Sequence, residues 1–202
     1  MLSLEEEGEL PAGFTRVRRL TGGWQVSFPM GRMVNYDKSF TLECTFRAET
    51  LDCRQLIFSS YKGRGDNSLM VEVTALNRLR GWIGGGEKFD MESGLNQGQE
   101  AVLTAEYTPG SYRLTCGDKT GEAAVTLSGQ SREPLCLLMD SRSSANTFSG
   151  MRISLCAFRW TEDGETVMEL VPALDTAGVP CLWDRINQQA LYNNGEGAVE
   201  WT

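Results

Sequence analysis

From Phe14 onward, short stretches in which apolar and polar residues alternate follow one another with hardly a pause, and this period of two narrows the choice of fold more than any other feature. Alternation places successive side chains on opposite faces of a sheet, so each stretch reads as a strand with one buried face. The runs are 14–20, 25–28, 40–46, 55–59, 69–75, 79–83, 101–107, 112–116, 123–127, 135–139, 151–160 and 166–172, with a short pair at 181–183 and 190–192. Between them stand turn formers: Gly84-Gly85-Gly86, Pro109-Gly110, Gly117-Asp118, Asp163-Gly164 and Asn194-Gly195. Helical periodicity is nearly absent, which removes parallel α/β folds, because their strands need crossover helices. Short strands joined by hairpin turns predict an antiparallel β-sandwich or barrel.

The 202 residues suit one such unit, from residue 10 to the end, preceded by an acidic leader over residues 1–9 that is either disordered or a short helix. There are 41% hydrophobic and 23% charged residues, a globular composition. No stretch has the roughly 18 apolar residues that a membrane helix requires. The opening Met-Leu-Ser-Leu-Glu-Glu-Glu carries acid where a secretory signal carries base. A net charge of -8 repels phosphate backbones, so nucleic acid is not an expected partner.

Histidine is absent, which excludes serine and cysteine triads, imidazole bases and His-ligated zinc. The six cysteines are spread widely, without a C-x-x-C pair, and four sit in apolar runs, so buried free thiols are favoured over a disulfide framework. A retaining glucanase would carry Glu-x-Asp-x-x-Glu on one strand face; no Glu here is followed two places later by Asp, and Glu162-Asp163-Gly164-Glu165 reads as a turn. Arg64-Gly65-Asp66 spells an integrin-type tripeptide, which by itself is loop composition.

The candidate ligand site starts from Trp82. In Leu79-Arg80-Gly81-Trp82-Ile83 the alternation puts Arg80 and Trp82 on the face opposite Leu79 and Ile83, and an aromatic ring beside a cation can stack on a sugar. The inner faces of a sandwich are consumed by its core, so recognition falls to an outer face or to rim loops. The longest polar loops run over 61–68, 84–99 and 140–147; they offer Tyr61 for stacking and Arg64, Asp66, Asn67, Asp140, Arg142 and Asn146 for hydroxyls. Solvated hairpin tips remain the plain alternative for all of these.

Both ends carry a resemblance. Leu10-Pro11-Ala12-Gly13-Phe14-Thr15 resembles the "LPAGYT" opening of LamG-like, concanavalin A-like jelly-roll domains, which are common in gut-bacterial surface proteins and in phage tail and host-attachment proteins. Leu170-Val171-Pro172-Ala173, Gly178-Val179-Pro180-Cys181-Leu182-Trp183-Asp184 and Leu191-Tyr192-Asn193-Asn194-Gly195-Glu196-Gly197 resemble the closing segments of that family. After Leu20 the chain departs from the usual opening, with Thr21-Gly22-Gly23-Trp24 in its place. The resemblance implies a jelly roll that binds carbohydrate or protein, with no catalytic residues to carry over.

The expectation is a non-enzymatic, lectin-like module that recognises a glycan or cell-surface receptor as part of a larger bacterial surface or phage tail protein. The alternatives are a structural or assembly module and, third, a glycan hydrolase. No cofactor is expected. Calcium is often bound by related folds, and Asp66, Asn67, Asp90 and Asp140 have the right composition, but their spacing does not approach a calcium loop.

Overall fold

The structure, a computed structural model, describes residues 10–60, 67–84, 86–138, 148 and 150–202. Seventeen strands are placed among them: β1 (Thr15–Arg16), β2 (Leu20–Gly23), β3 (Ser27–Asn35), β4 (Phe40–Ala48), β5 (Gln55–Ser59), β6 (Leu69–Val73), β7 (Arg78–Ile83), β8 (Gly86–Glu92), β9 (Glu100–Thr108), β10 (Gly110–Cys116), β11 (Lys119–Val125), β12 (Gln130–Leu138), β13 (Arg152–Glu162), β14 (Glu165–Leu174), β15 (Pro180–Asp184), β16 (Gln189–Tyr192) and β17 (Glu200–Trp201). The acidic leader lies outside the described residues. No described helix is long and apolar enough to cross a membrane.

The strands form two antiparallel sheets. One runs β11-β10-β9-β4-β13-β14-β15-β16 and the other β3-β12-β5-β6-β7-β8. Their inner faces meet in one core, where Phe46, Tyr112, Phe158 and Trp160 from the first sheet share a cluster with Phe28, Phe58, Val71 and Leu79 from the second. Each such side chain contributes about 1.5–3 kcal/mol by leaving water. The larger sheet forks. β13 pairs with β4 along one side, but along the other it pairs with β2 at Arg152–Leu155 and with β14 only at Phe158–Glu162. β14 runs on to pair with β1, and β17 joins β2, so the N-terminal residues close the fork.

The largest departures from the sequence reading are β3 and β8. The run expected to end at Phe28 continues to Asn35 as β3, despite Pro29 and Gly31. β3 is an edge strand, so proline costs it no interior ladder bond, and Gly31 takes a left-handed φ of +67° where the register with β12 shifts. The 84–99 loop instead contains β8, whose Phe89 is its anchor. A Cβ on Gly81 of β7 or Gly121 of β11 would lie 2.9 or 2.8 Å from the Phe89 ring. Two glycines on different sheets therefore make the slot that this ring fills: Gly81, its partner across the β7–β8 hairpin, and Gly121, which is distant in sequence.

All six cysteines are free, four of them buried. Burial pushes the Cys116 and Cys181 thiols up to about 11 and Cys156 up to about 12, so these stay protonated and act as small apolar groups.

Candidate functional site

β7 delivers the alternation expected of it: Leu79, Gly81 and Ile83 are buried in the core, while Arg78, Arg80 and Trp82 are half-buried on the opposite face. Register adds the neighbours. Met70 and Glu72 of β6 stand opposite Trp82 and Arg80, and Asp90 of β8 stands opposite Arg80 on the other side. The outward face of the six-stranded sheet therefore carries a transverse row of charges, Glu72, Arg80 and Asp90, with Trp82 two residues along β7 from it.

That row is tightly paired. The Arg54 guanidinium donates to Glu72 from Nε at 3.1 Å and from Nη2 as well, while lying 5.0 Å from the centre of the Phe148 ring. Arg80 stands 3.8 Å from the other Glu72 oxygen and donates from Nη2 to Asp90 at 2.7 Å. Arg78 donates to Asp90 from Nε, and from Nη2 to the Asp90 carbonyl at 2.9 Å. Glu72 is fully buried, a position a carboxylate tolerates only beside such partners. Burial pushes the Asp90 carboxyl up, but the hydrogen bonds and charges of Arg80 and Arg78 outweigh it and hold the carboxyl below the usual range.

Trp82 stands at the edge of this row as a half-buried aromatic side chain. Its Nε1–H is buried and has no hydrogen-bond partner, as is true of Trp24, Trp160 and Trp183. A buried donor left unmade costs on the order of 1–3 kcal/mol. Asn67 lies two residues before Leu69, itself opposite Ile83, so it belongs to the same end of the sheet as Trp82. Its amide nitrogen donates to the Ser128 carbonyl. Tyr61, Arg64, Asp66, Asp140, Arg142 and Asn146 lie outside the described residues, as does the Arg-Gly-Asp tripeptide. Asp90, weighed as a calcium ligand, has both carboxylate oxygens engaged by arginines. Among the described residues no three metal-ligating side chains cluster.

Sequence reasoning missed Arg54, Glu72 and Asp90 as parts of this face. One signal was present: Glu72 is the lone charge in Leu69-Met70-Val71-Glu72-Val73, and a charge in an apolar strand calls for a partner across the ladder.

The terminal motifs behave differently. Asp184, fully buried, accepts from the backbone nitrogens of Glu169, Ile186 and Asn187 and from the Asn187 side chain at 2.6 Å, holding the turn after β15. Asn193 accepts from Ser27 N and Gly195 N and donates to the Gly195 and Gly197 carbonyls. Leu10 and Phe14 cover a second small core of Val171, Ala173, Cys181 and Trp183, with the Phe14 and Trp183 ring centres 5.1 Å apart. The opening and closing motifs are thus two halves of one packing unit, away from Trp82.

Neither a protein-family model nor a curated protein matches this chain. Solved structures do. A Bacteroides ovatus protein named for carbohydrate binding superposes with a TM-score of 0.62 at 11% identity, covering 93% of this chain and 60% of that one. Domains LG4-5 of the mouse laminin α1 chain superpose with a TM-score of 0.54 at 14% identity, covering 96% of this chain and 47% of theirs. This chain thus spans about half to three fifths of the length of those two. With two antiparallel sheets, one shared core and these likenesses, the chain has the concanavalin A-like, LamG-like jelly-roll fold.

Proposed function

We propose that this chain is a non-enzymatic, lectin-like module that binds a neutral or weakly charged glycan on the outward face of the six-stranded sheet. The observation that carries the reading is Trp82: a half-buried aromatic side chain on the outward face of β7, on the same side of the strand as Arg80. An apolar ring face suits the C–H face of a pyranose, and the neighbouring polar groups suit its hydroxyls. The likeness to the B. ovatus protein named for carbohydrate binding supports the same class.

The absence of hydrolysis is part of the proposal. Glu72 and Asp90 flank Arg80 and are the carboxylates this face brings together. A general acid needs a raised pKa and access to the substrate. Glu72 is sealed from solvent and Asp90 is held low by two arginines, so neither is suited to the role. In its natural setting the module would belong to a larger bacterial surface or phage tail protein and attach it to a host or cell surface.

The test is a glycan array followed by calorimetric titration of the strongest hit, on wild type and Trp82→Ala. Binding of the order of 0.1–1 mM is expected, because only the surplus over ordering and desolvation appears as affinity. Trp82→Ala should reduce it at least tenfold. Undiminished binding in that variant would move the site elsewhere. Turnover of a glycan that disappears in Glu72→Gln or Asp90→Asn would overturn the non-enzymatic reading.

A further inference from the structure

At the other end of the sandwich, β8 leaves the six-stranded sheet opposite Arg78 and crosses to β9 through residues 93–99. This crossing and the β10–β11 turn enclose a groove of about 320 Å3, lined by Leu95, Asn96, Gln99, Glu100, Val102 and Asp118 among others. The volume is at the lower end of ligand pockets, enough for one or two sugar rings.

Its wall is held in place by hydrogen bonds that use one lining side chain, Ser93, and none of the polar ends of Asn96, Gln99, Glu100 or Asp118. Ser93 Oγ donates to Asn77 Oδ1 at 2.6 Å and accepts from Leu95 N at 3.1 Å, and Asn77 Nδ2 donates to the Leu95 carbonyl at 3.0 Å. Gly98 N donates to the Ala48 carbonyl at 2.8 Å, fixing the far end of the crossing. A preformed groove spares a ligand the cost of ordering it.

The chemistry is mixed in a specific way. Leu95 is buried and Val102 is 37% exposed, giving apolar surface. Asn96 Nδ2 donates to Gln99 Oε1 at 3.2 Å, which leaves Asn96 Oδ1 as an acceptor and Gln99 Nε2 as a donor. Glu100 and Asp118 add acceptors, and each has a cation beside it: Lys119 is 3.2 Å from Asp118, and Arg47 stands opposite Glu100 in the ladder. The carboxylates are thus balanced by cations, and acceptors and donors side by side suit the hydroxyls of an uncharged ligand.

From this we infer that the groove is a second binding site, for an uncharged mono- or disaccharide, at the end of the sandwich away from Trp82. The inference rests on the reading of the chain as a glycan-binding module and makes it bivalent. Two sites on one rigid body would raise avidity for a repeating glycan without any new contact.

The experiment is an NMR titration of the full 15N-labelled chain with glucose, galactose, mannose, N-acetylglucosamine, cellobiose and lactose, in wild type, Trp82→Ala, Val102→Trp and Gln99→Ala. At least one sugar should shift the amides of residues 94–96, 99–102 and 117–118, and these shifts should persist in Trp82→Ala. Filling the groove with Val102→Trp, at a position already partly exposed, should weaken them about tenfold or more, and Gln99→Ala by a few fold. Absence of shifts at those amides with every sugar, or shifts unchanged in Val102→Trp, would overturn the inference. Groove shifts without any response to Trp82→Ala elsewhere would sink the Trp82 site and leave the groove standing, whereas shifts confined to the Trp82 face would do the reverse.

Discussion

The closing segment around β15 and β16 and the outward face of the six-stranded sheet show opposite relations between motif and chemistry. In the first, nearly every recognisable residue is consumed by the fold: Asp184 and Asn193 satisfy backbone groups, and Phe14 covers Trp183. In the second no motif is visible, yet that face holds a half-buried charge row around the buried Glu72, and a half-buried tryptophan. Residues that must meet backbone atoms at fixed positions leave a readable pattern, because few side chains fit. A ligand face has no such obligation within the chain.

Substitutions should separate the two regions, and the largest effect should come from Gly195→Ala. A Cβ there would sit 1.9 Å from the Gln25 carbonyl oxygen, a backbone atom that also accepts from Gly197 N, so the closing segment must detach. A loss of about 3 kcal/mol or more, read as a fall of roughly 6–12 °C in Tm, is expected by calorimetry. A Tm within 2 °C of wild type would show that the closing segment is not what locks Gln25.

Phe14→Ala comes next. Removing a half-buried ring from the small second core should cost about 2 kcal/mol, while glycan affinity stays within twofold of wild type. Coupled loss of binding would join the two regions that the geometry separates. Trp82→Ala should show the inverse pattern, with binding lost and only about 1–2 kcal/mol of stability, because the ring packs partly on the core edge. Trp82→Phe should recover most of the stability and part of the binding, since it restores apolar area but a smaller ring face.

The smallest effect is in acid. Asp90 has a folded pKa below its unfolded value near 4, so its stabilising share is fully present above that value and is lost as pH falls through the depressed folded one. Urea unfolding at pH 7 and pH 3 should therefore show a smaller loss for Asp90→Asn than for wild type. An equal loss would mean that the charge row contributes nothing net, as exposed pairs often do.

Much of the architecture was legible in the residues. Alternation marked the strands of both sheets, and Asp163-Gly164 marked the β13–β14 turn, where both adopt positive φ. The sequence also placed Arg80 and Trp82 on one face, since that needs only a period of two. Two things were not legible. β8 was hidden because the slot for Phe89 is completed by Gly121 of β11, on the other sheet and distant in sequence. The Arg54–Glu72–Arg80–Asp90 row was hidden because it runs across strands.

Local periodicity by itself therefore determined the fold class and, in the strands it marked, the direction of each side chain. The order of strands in each sheet, and with it the company each outward side chain keeps, was decided only by tertiary structure. The physical reason is range. A pleat orients neighbours along the chain, whereas register between strands is set by the whole core, by turns and by contacts such as Glu72 with Arg54 and Arg80 that no single stretch contains.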